Sequence, residues 1–305
     1  MSHSLIIGAN GLIGNALACE LKQIDSCYSY STKQANSILK NSIFLNLSHD
    51  VSNWQVPDGI TTAYFCAFHG NTKSCRENPV SSQKINVSNT LKILKVLLQA
   101  QVHVLFLSTT QVFDGNTPYR KTTDPLSPLT EYGKQKAEVE QAILSYPNIS
   151  IVRLSKVLGK RIPLFEKWID SLQQNIAIYP FTDLSIAPIN SEFVARSLIQ
   201  IASKKIAGIH HLSGDQDISY HSISKYIVDE LGLDKNLIRE GSIADIHIPK
   251  AEAPTYTTLD TDKTYHELNI PHTKSMETII NYCNLLKMQK INFNCKHNSA
   301  KDKAL

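Results

Sequence analysis

Short runs of mainly apolar residues punctuate the first half of the chain. Ser4 to Ile7, Cys27 to Tyr30, Ile43 to Leu47, Ala63 to Ala67, Val102 to Leu107 and Ile149 to Leu154 are each four to six residues long. Runs of that length that stop at turn residues predict strands buried in a sheet. Between them lie stretches with helical spacing. Asn15 to Gln23 and Glu131 to Ser145 read as helices, and Val87, Leu91, Leu94 and Leu98 mark one apolar face of a long helix over Val80 to Gln101. Asn78-Pro79 supplies its start signal. Strands that alternate with helices imply a parallel sheet covered on both faces, and right-handed crossovers make it doubly wound. The expected class is therefore α/β.

Beyond Ser155 the rhythm loosens. Helices are expected near Pro163–Gln174, Ser191–Ala202, Ser222–Leu231 and Lys274–Leu286, mixed with short strands such as Ile209–Leu212. No internal repeat or low-complexity linker separates the halves, so the second half reads as a smaller lobe laid against the sheet.

Composition narrows the class little. The 305 residues are 42% hydrophobic and carry a formal charge of +4, enough for a normal core and without the charge blocks that nucleic acid or membrane partners demand. Six cysteines form no Cys-x-x-Cys pair, and no His cluster has metal-ligand spacing, so no metal is expected and the thiols read as free in a reducing compartment. The N-terminus runs straight into a strand with no room for a signal peptide, and no apolar run is long enough to span a bilayer. A cytoplasmic protein is the expectation. The adjacent His210 and His211 would point to opposite faces of a strand, and Arg153 on a buried strand reads as a paired structural arginine.

The chemistry lies in three places. Gly8-Ala-Asn10-Gly11-Leu12-Ile13-Gly14 joins the first strand to the first helix. There the first glycine permits a tight turn, the second lets backbone approach a pyrophosphate, and the third lets helix pack on strand. Folds that prefer NAD place an acidic residue at the end of the second strand. Here that region is Tyr28-Ser-Tyr-Ser31-Thr-Lys33, and Asp25 sits at the opposite end. Ser31 and Lys33 suit a 2′-phosphate, which points to NADPH, with NADH as the second option. Ser108-Thr109-Thr110 ends the fifth strand, where ligands bind in such sheets. Tyr132 and Lys136 sit four residues apart on the next helix, so phenol and ammonium share a face. A nearby cation would bring the phenol down from about 10 toward a useful range.

These residues together resemble the extended short-chain dehydrogenase/reductase family. Ser108-Thr-Thr-Gln-Val-Phe-Asp-Gly115 and Pro128-Leu-Thr-Glu-Tyr-Gly-Lys-Gln-Lys-Ala-Glu138 resemble its dTDP-4-dehydrorhamnose reductase branch. Val152–Gly159, Ile186–Ala195 and Gly208–Gly214 continue the likeness, which covers about residues 4–285. It implies a Rossmann domain over 1–155, completed by about 186–214, and a substrate lobe from 156–185 and 215–287, leaving 288–305 as a flexible tail. It implies that Tyr132 donates a proton to a substrate carbonyl, that Lys136 lowers its pKa and holds the nicotinamide ribose, and that Thr109 orients the carbonyl. Cys66, Ala67 and Phe68 would line the cofactor through backbone contacts, Asn46 and Leu47 would lie near the adenine, and Asn86 matches a structural Asn behind the proton relay. The substrate implied is a nucleotide-linked 4-keto-6-deoxy sugar.

Two departures fall on substrate-side positions. Thr110-Gln111 stands where these reductases carry Asp-Tyr, and Lys156 stands where they carry an aromatic residue. Without an Asp-Glu pair after Thr109, dehydration is not expected. A nucleotide-sugar 4-epimerase uses the same Tyr and Lys and stays as an alternative. So does a non-catalytic, NADP-binding partner resembling the regulatory subunit of methionine adenosyltransferase. The family's members are often dimers, which makes a homodimer one expectation.

Overall fold

The structure, a computed structural model, describes residues 3–24, 26–33, 41–246 and 248–301, with side chains through 288. Asp25 lies outside the described residues. The strands are β1 (His3–Ile7), β2 (Cys27–Thr32), β3 (Ser42–Phe44), β4 (Ile60–Phe65), β5 (His103–Thr109), β6 (Ile149–Leu154), β7 (Lys156–Leu158), β8 (Ser185–Ile186), β9 (Pro188–Asn190), β10 (Gly208–Leu212) and β11 (Ile218–Ser219). Seven of them form one sheet in the order β10-β6-β5-β4-β1-β2-β3, and every pairing in it is parallel. The order reverses between β1 and β4. A crevice opens at the carboxyl ends of that pair, where ligands sit in open α/β sheets.

The helices are α1 (Leu12–Gln23), α2 (Thr72–Glu77), α3 (Pro79–Gln83), α4 (Thr90–Gln99), α5 (Glu131–Ile143), α6 (Pro163–Gln173), α7 (Ser191–Lys204), α8 (Tyr220–Leu231), α9 (Asp262–Leu268) and α10 (Ser275–Lys301). Alternate residues of β5 face opposite cores, as the pleat requires. Val104 and Phe106 pack with Leu94 and Leu98 of α4 and Val139 of α5. Leu105 and Leu107 pack with Leu17 of α1 and Leu198 of α7. A third core, around Phe165, Trp168, Ile223 and Tyr282, belongs to α6, α8 and α10.

The doubly wound sheet is as expected, with differences at its margins. The third strand stops at Phe44. Leu45 still donates to the Thr32 carbonyl, but Asn46 then turns the chain by accepting from the Ser48 N–H at 3.0 Å. Helix α2 precedes the expected long helix, opened by a reciprocal cap between Asn71 and Ser74. The long helix is continuous from Pro79 but passes through π-helical turns over Lys84–Asn89. The last helix runs to Lys301, so the expected loose tail is helical that far, and 302–305 lie outside the described residues. Among the described residues no helix is long and apolar enough to cross a membrane.

Candidate functional site

The glycine turn is shaped by what its glycines leave out. Gly8 has φ +94°, and a Cβ there would lie 2.7 Å from the Ala67 nitrogen. A Cβ on Gly14 would lie 2.3 Å from the Gly8 carbonyl oxygen, so only glycine lets α1 settle on the turn. Gly11 is the N-cap of α1 and has no side chain to close it, which leaves the positive end of the helix facing the crevice. These features fit a pyrophosphate: bare backbone, donor groups and room for close approach.

A groove of about 500 Å³ runs from this turn across the β2 end to the β4 end. Gly8, Asn10, Gly11, Ser31, Lys33, Leu47, Cys66, Ala67 and Phe68 all line it. Leu12, Ile13 and Gly14 form the first turn of α1 beside it. Tyr30, Thr32, His69 and Ile85 also line it and were not anticipated, because strand residues, a loop histidine and a mid-helix isoleucine carry no local signal of facing a ligand. Ser31 is tied to the turn, accepting from the Gly8 N–H at 3.0 Å. Among the described residues that line the groove none is acidic, and Lys33 contributes a cation.

Beside the groove, Thr130 caps α5 by accepting from the Gly133 N–H at 3.0 Å. Its hydroxyl donates to Gln111 Oε1 at 2.9 Å, and the Gln111 amide reaches Thr72 at 3.3 Å. Gly133 allows the helix to come this close, since a Cβ on it would stand 2.1 Å from the Gln111 carbonyl oxygen. The result sets Tyr132 against the β5 end. The Thr109 hydroxyl bonds the phenol there, and also accepts from the Gln111 N–H at 3.2 Å.

Lys136 is buried, its Nζ donating to the Leu107 carbonyl at 2.7 Å. The ammonium also lies 4.7 Å from the centre of the Phe68 ring and 4.6 Å from that of Phe106. Phe68 packs edge-on against Tyr132 as well, with ring centres 4.8 Å apart. Its side chain, not only its backbone, therefore covers both groups. Burial brings the Lys136 ammonium down to about 8, opposed by the Glu140 carboxylate. Burial raises the Tyr132 phenol, and the bond from Thr109 relieves it in part. The phenol therefore stands above its ordinary value and not below it as expected, because burial outweighs the help from Thr109.

Behind the pair, Asn86 does not face the groove. It is buried, accepting from the His69 N–H at 2.8 Å and donating to Gln135 Oε1 at 2.9 Å. It thus braces the loop after β4 against α5. Of the residues expected on the substrate side, Thr110 and Gln111 border a nearly closed cavity of about 10 Å³ whose far wall includes Pro254 and Tyr256. Lys156 opens β7 with an exposed side chain, its backbone paired with Pro188. Arg153 is paired as expected, bonded to Glu140 at 2.7 Å, and both are 2% exposed. His211 meets Arg153 at 3.4 Å and the Asp260 carbonyl at 3.0 Å, whereas His210 bonds the Ile206 carbonyl at 3.0 Å. Among the described residues no three His, Cys, Asp or Glu side chains converge as a metal site.

Comparison with known proteins shows the family. The chain is 24% identical over 278 residues to a probable low-salt glycan biosynthesis reductase, Agl14, of Haloferax volcanii, covering 87% of this chain and 92% of that one. It is 33% identical over 159 residues to a dTDP-4-dehydrorhamnose reductase of Aggregatibacter actinomycetemcomitans, about half of each chain (49% and 54%). It is 25% identical over 281 residues to methionine adenosyltransferase 2 subunit beta of Pongo abelii, covering 85% of this chain and 80% of that one. Among solved structures, a dTDP-4-dehydrorhamnose reductase of Bacillus anthracis in complex with NADP superposes with a TM-score of 0.80 at 18% identity, over 92% of this chain and 99% of that one. The profile of the RmlD substrate binding domain matches residues 2–287, nearly the whole chain, and the protein belongs to that family.

Proposed function

We propose that this chain is an NADPH-dependent reductase of a nucleotide-linked 4-keto-6-deoxy sugar. One observation carries the reading: Thr109, Tyr132 and Lys136 stand together at the end of β5, next to a groove built on a glycine turn. The Gly8–Gly14 turn would hold the pyrophosphate, and Ser31 and Lys33 the 2′-phosphate. When bound, the reduced nicotinamide supplies a hydride. Tyr132 donates the proton that the carbonyl oxygen needs, Thr109 fixes that oxygen by a hydrogen bond, and the Lys136 ammonium stabilises the phenolate left behind. The likeness to Agl14 and to the Aggregatibacter reductase supports this substrate class.

The test is NADPH oxidation, followed by absorbance, against a panel of nucleotide-linked 4-keto-6-deoxy sugars. One sugar should turn over, and Tyr132→Phe should lower kcat by about 10²–10⁴-fold while leaving NADPH affinity near that of the wild type. Full activity in that variant would refute the role given to Tyr132.

A second reading, a non-catalytic NADP-binding partner of a larger enzyme, has an observation of its own. Phe68 packs on both Tyr132 and Lys136, and the chain is similar along most of its length to methionine adenosyltransferase 2 subunit beta. Tight NADPH binding, no turnover of any sugar and stable co-purification with a larger enzyme would select it.

A further inference from the structure

Tyr132, Lys136 and Glu140 follow one another at helical spacing on the face of α5 that meets the sheet. The first two have work in the reductase reading, and the third has had none. Cα–Cβ bonds on a helix tilt toward its N-terminus, so the Glu140 side chain leans over the turn that carries Lys136. The carboxylate cannot swing away. Arg153 grips it with three bonds, Nε to Oε1 at 3.2 Å, Nε to Oε2 at 3.1 Å and Nη2 to Oε2 at 2.7 Å. Arg153 is itself fixed by the Phe113 ring, 5.0 Å from the guanidinium carbon, and by His211.

The other neighbours of Lys136 offer no fixed anion. The Leu107 carbonyl and the two phenyl rings are uncharged. At the β4 end the Cys66 thiol is pushed up to about 12 by burial, and on α2 burial also raises Cys75, so both stay neutral. On β10, burial and then Arg153 push His211 down to about 3, so it is neutral too. Glu131, at the head of α5, bonds Gln135 at 3.4 Å. Arg153 on β6 is a second buried cation.

We propose that Glu140 is a positioning residue for the reaction: clamped by Arg153, it supplies the negative charge that keeps Lys136 an ammonium beside Tyr132. This rests on the reductase reading of the site. Loss of the carboxylate does two things at once. It removes the anion next to Lys136 and leaves Arg153 as an unmatched cation in the same core. Both changes drive the proton off Lys136.

The variants are Glu140→Gln, Glu140→Asp and the double Glu140→Gln/Arg153→Met. The first readout is the pH profile of kcat/KM for NADPH-dependent reduction. In Glu140→Gln the alkaline limb should move down by about one pH unit. Glu140→Asp should restore most of the shift. The double variant, uncharged at both positions, should lie between Glu140→Gln and wild type, and it carries the test if Glu140→Gln does not fold. The second readout needs neither sugar nor cofactor. Lys136 Nζ itself, followed by nitrogen NMR and assigned by its absence in Lys136→Met, should lose its proton about one pH unit lower in Glu140→Gln than in wild type. An unmoved limb and an unmoved Lys136 titration, with only a lower unfolding midpoint, would make Glu140 purely structural and overturn the proposal. A Lys136 titration moved down with no sugar turned over by any protein, wild type included, would refute the reductase reading and uphold the role of Glu140.

Discussion

The glycine turn and the Tyr132 helix sit a few strands apart on the same sheet edge and are built on opposite plans. The turn is made by omission. Gly8 and Gly14 have no Cβ because backbone atoms already occupy that space, at 2.7 and 2.3 Å, and the surface presented is main chain. The helix is made by a stack of side chains. Tyr132 leans on Thr109 and Phe68, Lys136 on Leu107 and two phenyl rings, and Glu140 on Arg153. The first plan leaves a main-chain surface tolerant of almost any neighbour that leaves the glycines alone. The second makes the charge of each group depend on the next one in the stack.

A matched pair of alanines breaks the comparison most directly. Gly14→Ala should weaken NADPH binding by at least ~100-fold, because α1 must move off the turn by more than an ångström, and calorimetric titration would read it. Gly133→Ala should do the reverse. Its Cβ would push against the Gln111 backbone and shift Tyr132, so kcat should fall about 100-fold while NADPH affinity holds. Equal effects of both on binding and turnover would mean that the two regions are not separable.

Acid tests the side-chain stack alone. Burial, and then the charge of Arg153, hold His211 at about 3 when folded, against a reference value of 6.5. The folded state therefore binds fewer protons than the unfolded one between those limits. Stability from this group is complete above pH 6.5 and is lost as pH falls from 6.5 toward 3, by roughly 3 kcal/mol at pH 4. Urea unfolding at pH 7 and pH 4 would measure it, and His211→Gln should flatten the difference.

Two smaller effects sharpen the boundary between the regions. Phe68 belongs to both, lining the groove while covering Tyr132 and Lys136. Phe68→Ala removes ring contacts that must yield before Lys136 can reach a ribose, so NADPH should bind about tenfold more tightly. Weaker binding would show that the ring supports the cofactor instead. Lys33→Ala should weaken NADPH a few-fold and NADH hardly at all, as expected for one exposed cation facing a phosphate. Equal losses for both cofactors would remove Lys33 from the phosphate site.

The turn was readable in the sequence and the stack only partly so, for a physical reason. Glycines required by sterics leave a fixed pattern, and strands such as β5 and β6, buried on both faces, leave mostly apolar runs. Tyr132 and Lys136 could be paired by helical spacing, and Arg153 on an apolar strand announced a buried partner. Which partner it was could not be read. Glu140 looks like any acid on a helix until the fold brings β6 against it. Phe68 likewise gives no sign that its ring will lie over residues more than sixty positions away. The π-helical turns at Lys84–Asn89 and the edge strand ending at Phe44 were missed because tertiary packing, not propensity, sets them.

The pairing of β10 with β6 has a bearing on the order of assembly during synthesis. Ser150–Leu154 find their outer partners only in Gly208–Leu212, and the chain between them must first be made and folded out of the way. Until residue 212 leaves the ribosome, β6 is an open edge and its buried Arg153, the partner of Glu140, has no His211 beside it. The nascent first half can form the glycine turn from local contacts. It cannot finish the environment of Lys136, so a truncated chain ending near residue 155 should bind a dinucleotide poorly shielded from water and be prone to pair its free edge with another copy.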